Sequence, residues 1–200
     1  MARRVAHVLG SDDCLLVGGL AVGAHGYVRA TKDVDFVARI SLSEAQKRFR
    51  ERSIAASVKH GDFTEGDFPC LQANVDGVRV DVMPPLVPIE WERSIEVALT
   101  RTEHLRVIDL DGLLRLKLRA GGPKDLMDAA VLMLRHPETL ARGRELAVAY
   151  GAADRLEAWL TDPRLRMEVE QTEAGERIRT PARRTRSRPR PRRRRPPREG

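Results

Sequence analysis

The sequence predicts an α/β fold with a small mixed β-sheet flanked by helices, a helical C-terminal part and a disordered basic tail. Residues 71–75 and 78–82 alternate apolar and polar side chains around Asp76-Gly77, the strongest short-range pattern for a β-hairpin. Residues 33–37 alternate in the same way. Residues 110–117 instead repeat apolar side chains with the i, i+3, i+4 spacing of one helical face. Strands and helices therefore mix within one chain.

The length of 200 residues fits one domain, with or without a small appendage. Because 42% of the residues are apolar and 4% are aromatic, the chain can bury a core and that core is aliphatic. We expect an α/β core in residues 1–105, a helical C-terminal part of the same domain in 106–165 and an Arg/Pro-rich tail in 166–200.

The net charge of +7 belongs to the tail. Residues 177–200 hold twelve arginines and one glutamate, so residues 1–176 carry a net charge of −4. Such a segment cannot bury a core and should be disordered. Its arginines suit the phosphate backbone of a nucleic acid, and an extension without a selected role is the alternative.

The cysteines and the length of the apolar runs indicate the cellular compartment. Cys14 and Cys70 form no CxxC pair, and we interpret them as buried thiols in a reducing cytosol. No apolar run approaches the roughly 18 residues that indicate a membrane span. We therefore expect a cytoplasmic protein without a membrane partner.

The residues from 15 to 38 carry the densest chemical signals. An apolar run, Leu15–Val17, ends at Gly18-Gly19, and a short helix is predicted from Leu20 to about His25. Glycines allow a tight turn and a close approach of the backbone to a ligand, and free N–H groups at a helix start favour a phosphate. An ordinary turn is the alternative.

Asp33 and Asp35 lie two apart on a predicted strand, so their carboxylates share one face. Adjacent carboxylates repel each other unless something neutralises them, and a hard divalent cation bound together with substrate phosphates is one common solution. A solvated strand edge is the alternative.

Asp81 lies on the second strand of the hairpin, where three valines share one face and leave Arg79 and Asp81 on the other. This strand could lie beside the strand of Asp33 and add a third carboxylate. An ion pair with Arg79 on an edge strand is the alternative. Prolines end this strand, and residues 89–99 are predicted as an amphipathic helix.

Lys117 falls within the apolar stripe of a helix that Asp109 can cap. An ammonium group there must reach water or meet negative charge, which a triphosphate would supply. Asp125 and Asp128, in the helix that Pro123 begins, could anchor Lys117. They could equally complement the dipole at the start of their own helix.

Further helices are predicted at 42–52, opened by a Ser41–Glu44 capping box, and at 137–149 and 153–160. Lys59–Pro69 is predicted as a loop, with a mobile flap as the alternative. His25 and Tyr27 could stack on a base, although we favour a structural role for both.

In combination these motifs resemble the nucleotidyltransferase superfamily that includes DNA polymerase β. The resemblance rests on Gly18-Gly19, the short helix after it, Arg29-x-Thr31-x-Asp33-x-Asp35, Asp81, and Lys117 followed by Lys124-Asp125-x-x-Asp128. It covers about residues 14–135 and is nearest to the minimal bacterial branch that contains the AbiEii-type toxins. The superfamily's common Gly-Ser is Gly-Gly here, which removes a hydroxyl contact to phosphate, although the minimal branch often has this form.

The resemblance implies a nucleotidyltransferase fold and the transfer of a nucleoside monophosphate from an NTP to a hydroxyl group. It implies that Asp33, Asp35 and Asp81 are catalytic and hold two Mg²⁺ ions. It implies nucleotide contacts by Gly18, Gly19, Arg29, Thr31, Lys117 and Asp128.

The resemblance leaves the acceptor open. By analogy with the toxins it would be tRNA, which the Arg-rich tail would help to bind, and the partner would be a cognate antitoxin. A small aminoglycoside-like molecule or a protein hydroxyl is the alternative. A non-catalytic nucleotide-binding or antitoxin-like module is a hypothesis from another class, and a binder would not need three carboxylates.

Overall fold

The computed structural model describes residues 1–61, 68–100 and 103–179, with the backbone alone for 173–179. Its helices are α1 Ala2–Leu9, α2 Gly18–Ala24, α3 Leu42–Glu51, α4 Leu110–Ala120, α5 Pro123–Arg135, α6 Leu140–Ala149, α7 Ala153–Leu160 and α8 Pro163–Arg179. Its strands are β1 Cys14–Val17, β2 Asp33–Ala38, β3 Ala56–Lys59, β4 Cys70–Val75, β5 Val78–Met83, β6 Ile95–Ala98 and β7 His104–Val107. Two short 3₁₀ turns lie at Trp91–Arg93 and Pro137–Thr139.

The strands form one mixed sheet in the order β3-β4-β5-β2-β1-β7-β6. β2 is parallel to β5 and β1 is parallel to β7, while the other neighbours are antiparallel. The predicted α/β class, with a mixed sheet, flanking helices and a helical C-terminal part, is confirmed. The sheet has seven strands in the described part of the chain, so it is larger than expected.

The hairpin β4–β5 follows from its local sequence. Asp76 and Gly77 adopt positive φ angles of 54° and 82°, as a type I′ turn requires. The Asn74 Oδ1 accepts a hydrogen bond of 2.9 Å from the Gly77 N–H. The turn sets the register in which Gln72 lies opposite Asp81.

The two faces of the sheet differ. On one face the side chains of β2, β4 and β5 are apolar and buried, and α3 packs there through Ala45 and Phe49. The other face is apolar at β1, where Leu15 and Val17 are buried, and polar on β5, β4 and β3. The polar half of this face surrounds the candidate site.

Helix α5 is the centre of the helical C-terminal part. Its residues 128–133 are fully buried, and α4, α6, α7 and α8 pack around it. The helix ends also match their predicted signals, because the Asp109 Oδ1 accepts a 3.2 Å hydrogen bond from the Gly112 N–H and Pro123 begins α5. The Ser41 cap of α3 is likewise present, through a 3.1 Å bond from the Glu44 N–H.

Residues 89–99 do not form the predicted amphipathic helix. They contain the 3₁₀ turn Trp91–Arg93 and strand β6, which pairs antiparallel with β7. Ile95 and Val97 alternate with polar residues, so the segment fits either structure locally, and pairing with β7 decides for the strand. Helix α1 and strands β3 and β7 were not predicted from the sequence.

The chain remains helical past residue 166, where the disordered tail was predicted to begin. α8 reaches Arg179. The Asp162 Oδ1 accepts a 2.7 Å hydrogen bond from the Arg164 N–H at its start, and Leu165 and Val169, four residues apart, are buried. The rest of the predicted tail, 180–200, lies outside the described residues, as do residues 62–67 of the predicted loop. No helix in the described ranges is long and apolar enough to cross a membrane.

Candidate functional site

Three carboxylates converge where β2 lies beside β5. Asp35 and Asp81 are direct neighbours in the parallel register, and Asp33 lies two residues before Asp35 on the same face. One oxygen from each carboxylate lies within 4.8 Å of the other two. Both strands are interior strands of the sheet, so the interpretations of Asp33, Asp35 and Asp81 as edge-strand residues are wrong.

The turn at Gly18 lies directly against this acidic cluster. Gly18 has φ +64°, and a Cβ atom at this position would lie 1.9 Å from the Asp35 Oδ2. Neither the conformation nor the space accommodates a side chain here. Gly18 was predicted to allow a close approach of the backbone to a ligand. In the structure it allows a close approach to the Asp35 carboxylate.

Gly19 faces the residues of the Arg29-x-Thr31 pattern. A Cβ at Gly19 would lie 2.9 Å from the Thr31 Oγ1 and 3.2 Å from the Arg29 Nη1. A serine at position 19 would push against Thr31, which accounts for a second glycine here. The Thr31 hydroxyl in turn donates a 2.9 Å hydrogen bond to the Asp33 Oδ1.

The three carboxylates differ in the direction in which their pKa is shifted. Burial, together with the charges of Asp33 and Asp81, raises the pKa of Asp35 to about 6. Burial also raises the pKa of Asp81, although Arg79 opposes it. Burial alone would raise the pKa of Asp33, but the Thr31 hydrogen bond and the charge of Arg79 outweigh it and hold this pKa below its ordinary value.

Arg79 partly neutralises the cluster. Its Nη2 lies 2.7 Å from the Asp33 Oδ2 and its Nε lies 3.2 Å from the Asp81 Oδ2. From the sequence, Arg79 was expected only as an alternative partner of Asp81. Its position two residues before Asp81, on the same strand face, is the signal that could have placed it in the site.

One further observation indicates that the three carboxylates can hold a divalent cation. The Asp81 Oδ1 is buried and has no hydrogen-bond partner among the described residues. A buried carboxylate oxygen without a partner is costly. A hard cation, which prefers carboxylate oxygens, would complete its coordination. It would also relieve the repulsion from Asp33 and Asp81, which adds to burial in raising the Asp35 pKa.

A second charged cluster lies beside the first, between the loop before β2 and helices α4 and α5. The Lys117 Nζ lies 2.6 Å from the Asp125 Oδ1 and 2.9 Å from the Asp128 Oδ2. Arg29 donates two 2.6 Å hydrogen bonds to Asp128, one to each oxygen. The Asp128 side chain is 0% exposed, so both of its oxygens are satisfied inside the protein.

Both members of the Lys117–Asp128 pair are charged. Burial alone would lower the pKa of Lys117, but Asp125 and Asp128 outweigh it and raise that pKa. Burial alone would raise the pKa of Asp128, but the Arg29 hydrogen bonds and Lys117 outweigh it and lower that pKa. Two ways were predicted for Lys117 to keep its charge: contact with water or contact with a negative charge. The structure shows the second, and the negative charge comes from Asp125 and Asp128. The prediction that Asp125 and Asp128 could anchor Lys117 is confirmed.

An open cleft of about 230 Å³ joins the two clusters. Its polar wall contains Gly18, Asp35, Lys117 and Asp125. Its apolar wall comes from β5, the segment after it and α4, through Met83, Leu86, Leu113 and Leu116, which the sequence analysis did not assign to the site. Asp128 does not line this cleft, although Lys117, which it holds, does.

His25 and Tyr27 serve the packing of their loop. The His25 Nε2 lies 2.8 Å from the carbonyl oxygen of Ile108, and the Tyr27 hydroxyl donates a 3.3 Å hydrogen bond to the Glu168 Oε1. Burial lowers the pKa of His25, so the ring is neutral. These contacts agree with the structural role favoured above.

No protein-family model matches this sequence, and no curated protein matches it either. Solved structures with similarity to the chain include an antigenic nucleotidyltransferase-like protein from Paracoccidioides brasiliensis, at 18% identity, with 80% of this chain and 89% of that chain covered and a TM-score of 0.44. ANT(2″)-Ia in complex with adenylyl-2″-tobramycin is 12% identical, with 86% and 98% covered and a TM-score of 0.42.

A tRNA nucleotidyltransferase complexed with a primer tRNA and an incoming ATP analog is 16% identical, with 89% of this chain and 61% of that chain covered and a TM-score of 0.38. At such identities and TM-scores the likeness is too loose to assign a family or an activity to this chain.

Proposed function

We propose that this chain is a metal-dependent nucleotidyltransferase, which moves a nucleoside monophosphate from an NTP to a hydroxyl group and releases pyrophosphate. One observation carries the proposal: the carboxylates of Asp33, Asp35 and Asp81 lie within 4.8 Å of one another against the Gly18 turn. Converging carboxylates of this kind bind hard cations together with substrate phosphates. The resemblance in sequence described above assigns the same three residues to this role.

The metal would be Mg²⁺, held by Asp33, Asp35 and Asp81, with two ions as the sequence resemblance implies. When bound, it would neutralise phosphate charge and make the acceptor hydroxyl more acidic. Asp33 is positioned by the Thr31 hydroxyl and by Arg79. Thr31 therefore acts in this proposal by orienting a metal ligand as much as by touching the nucleotide.

The nucleotide would lie in the cleft between the two clusters. Gly18 and Gly19 lack Cβ atoms, so phosphate oxygens can approach the backbone N–H groups of their turn. Lys117 lines the same cleft, and Asp125, whose side chain is 31% exposed, can yield Lys117 to a phosphate. Arg29 and Asp128 would position Lys117, since Asp128 is too buried to touch the nucleotide.

The transfer is a displacement at the α-phosphorus of the NTP. The acceptor hydroxyl oxygen forms a bond to the α-phosphorus, while the bond from that phosphorus to the bridging oxygen of the β-phosphate breaks. Pyrophosphate leaves with the electron pair of that bond. The hydroxyl proton passes to the Asp81 carboxylate, whose pKa is raised by burial.

A cytoplasmic toxin of a toxin-antitoxin pair, acting on tRNA, is the finer form of this proposal. It draws on the resemblance to the AbiEii-type branch and on the twelve arginines of residues 177–200, which suit an RNA backbone. A cognate antitoxin would be the partner. A non-catalytic nucleotide binder is the competing function, and such a protein would bind NTP without transferring any part of it.

The test is transfer of label from each α-³²P-labelled NTP, with MgCl₂, to total tRNA and to a set of sugars and amino sugars. Asp81→Asn should retain NTP binding and lower transfer by about 100-fold or more, the range for loss of a proton acceptor. Asp12→Asn is the matched control, because the Asp12 side chain is 98% exposed. Mg²⁺-dependent NTP binding without transfer to any acceptor would contradict the proposal.

A further inference from the structure

A cavity of about 750 Å³ lies on the side of the sheet opposite the carboxylates. Helix α1 forms one wall of it, and α1 packs on α3 and on β1. The Cys14 thiol lies 3.9 Å from the Ala6 carbonyl oxygen of α1. Cys14 is three residues before Val17, the strand partner of Asp35, so its side chain points away from the face of Asp35. The cavity and the cleft beside the carboxylates are therefore on different faces, and they share no described lining residue.

The walls of this cavity supply cations and hydrogen-bond donors from three separate elements. Helix α1 contributes Arg3, Arg4 and His7, the residue after α3 contributes Arg52, and the start of β7 contributes His104. Three arginines and one glutamate give the described lining a net charge of +2, whereas residues 1–176 as a whole carry −4. Positive charge is therefore concentrated at this cavity against the net charge of the folded part.

Three of these donors have no protein partner. Arg52, His7 and His104 are exposed, and their side chains make no hydrogen bond or ion pair with another described residue. A guanidinium group has five N–H donors and an imidazole has at least one. These donors are therefore available to a ligand.

The other two arginines have partners that an anion can replace. Arg3 pairs with Glu103, and the Arg4 Nη1 lies 2.9 Å from the Asp76 Oδ1. The two arginine side chains are 55% and 54% exposed. Ion pairs at such exposure contribute little to stability, so turning Arg3 or Arg4 toward a ligand costs little.

This arrangement of donors suits phosphate better than carboxylate. Arginine binds phosphate oxygens in pairs through its planar fork. A tetrahedral phosphate presents oxygens in several directions and can accept from α1, Arg52 and His104 together, whereas a carboxylate presents two oxygens in one plane. The cavity volume of about 750 Å³ also leaves room for several linked phosphate groups.

We propose that this cavity is a second phosphate-binding site, separate from the NTP cleft, with Arg52 as its main contact. Its ligand carries several linked phosphate groups, either as a free polyphosphate or as a stretch of RNA backbone. The sheet separates this cavity from Asp33, Asp35 and Asp81, so a phosphate bound here takes no part in the transfer step. It contributes binding alone, and the site exists whether or not the chain transfers nucleotides.

The experiment measures the increase in Tm of the full chain at rising concentrations of sodium tripolyphosphate, and separately of a twelve-nucleotide single-stranded RNA. A ligand raises the Tm only if it binds the folded protein better than the unfolded one, so the readout reports a folded site. EDTA is present throughout and removes metal-mediated phosphate binding at the carboxylates.

Arg52→Gln and Arg52→Glu test the site. Arg50→Gln and Arg50→Glu are matched controls, because Arg50 is exposed in the last turn of the same helix and is not among the described lining residues. Lys117→Met reports any phosphate bound in the NTP cleft, which Lys117 lines.

We expect the wild type to gain roughly 5–10 °C in Tm at a ligand concentration of about 100 times the Kd. Arg52→Gln should raise the Kd obtained from these curves about tenfold, which corresponds to the loss of one charge-assisted hydrogen bond. Arg52→Glu should raise it further, because it also adds a repulsive charge. The Arg50 variants and Lys117→Met should match the wild type.

The two probes identify the source of the phosphate. An Arg52-dependent rise in Tm with tripolyphosphate alone supports a free polyphosphate, and the same rise with the RNA supports an RNA backbone. No rise with either probe overturns the site, as do equal Kd values for the Arg52 and Arg50 variants.

Two other results also overturn the proposal. Loss of the Tm increase in Lys117→Met, with the increase kept in the Arg52 variants, would place the phosphate in the NTP cleft. An equal or larger Arg52-dependent increase with hexaglutamate would show a site for acidic protein segments. None of these measurements involves nucleotidyl transfer, so that proposal stands or falls separately.

Discussion

Replacing Lys117 by methionine tests the charged cluster that borders the cleft. Methionine has nearly the same length and keeps the apolar stem while removing the charge. Lys117 makes contacts of 2.6 Å to Asp125 and 2.9 Å to Asp128. A hydrogen bond to a charged group contributes about 1.5–3 kcal/mol. The Asp125 side chain is 31% exposed, so water replaces the lysine there and most of the loss falls on Asp128.

Asp128 is 0% exposed but keeps both hydrogen bonds from Arg29. The cost is therefore below that of a buried carboxylate left without any partner, and we expect about 2 kcal/mol of destabilisation. For a domain of this size, this corresponds to a decrease in Tm of roughly 4–8 °C. Sequence alone leaves this sign open, because a lysine that reached water would make Lys117→Met neutral or stabilising.

Urea and thermal unfolding followed by circular dichroism measure this difference. Lys47→Met is the matched control: its side chain is 65% exposed and lies 4.0 Å from Glu51, a pair that contributes less than about 0.5 kcal/mol. If Lys117→Met and Lys47→Met unfold at the same urea concentration, the contacts of Lys117 with Asp125 and Asp128 do not stabilise the fold.

The same variant tests the nucleotide role of Lys117. Calorimetric titration with a non-hydrolysable NTP should show binding weakened by about 1.5–3 kcal/mol, the range for one charge-assisted hydrogen bond. Equal affinities in the wild type and in Lys117→Met would refute a phosphate contact, whatever the effect of the substitution on stability.

Two further substitutions test the site, and one truncation tests the tail. Asp35→Asn should stabilise the metal-free protein at pH 8 by up to about 3 kcal/mol, since the rise of this pKa from 3.8 to about 6 makes ionisation of Asp35 unfavourable in the folded state. Gly18→Ala should destabilise more than Gly77→Ala, because both positions have positive φ but only the Gly18 Cβ would meet an atom of another residue. Truncation after Arg179 removes ten arginines, and should weaken RNA binding at low salt and flatten its dependence on salt.

A different result would contradict each of these three predictions. The Asp35→Asn gain should fade as the pH falls from 6 to about 4, because the wild-type carboxyl is then protonated in the folded protein; an unchanged gain at pH 4 would contradict the assigned pKa. Equal thermal unfolding of Gly18→Ala and Gly77→Ala would mean that the contact with Asp35 is not limiting. For the truncation, equal salt slopes of full-length and shortened protein in a fluorescence RNA-binding assay would leave the tail without a role in RNA binding.

Elements with local signals can be predicted from the sequence. The β4–β5 hairpin depends on two turn residues, Asp76 and Gly77, that accept positive φ. The start of α4 depends on the Asp109 cap three residues before Gly112. The shared face of Asp33 and Asp35 follows from the two-residue period of a strand. Each of these needs only neighbours along the chain, and each is present in the structure.

Contacts between residues that are distant in sequence depend on how the elements pack, and no local pattern predicts them. Residues 95–98 fit a helix or a strand, and the nearby β7 selects the strand. Lys117 needed a negative charge, and the packing of α4 against α5 supplied Asp128 from within the protein. Asp35, Asp81 and Gln72 are successive partners across three strands because β2, β5 and β4 are neighbours in this order and register. Strand order depends on contacts between residues far apart in sequence, whose energies no local pattern records.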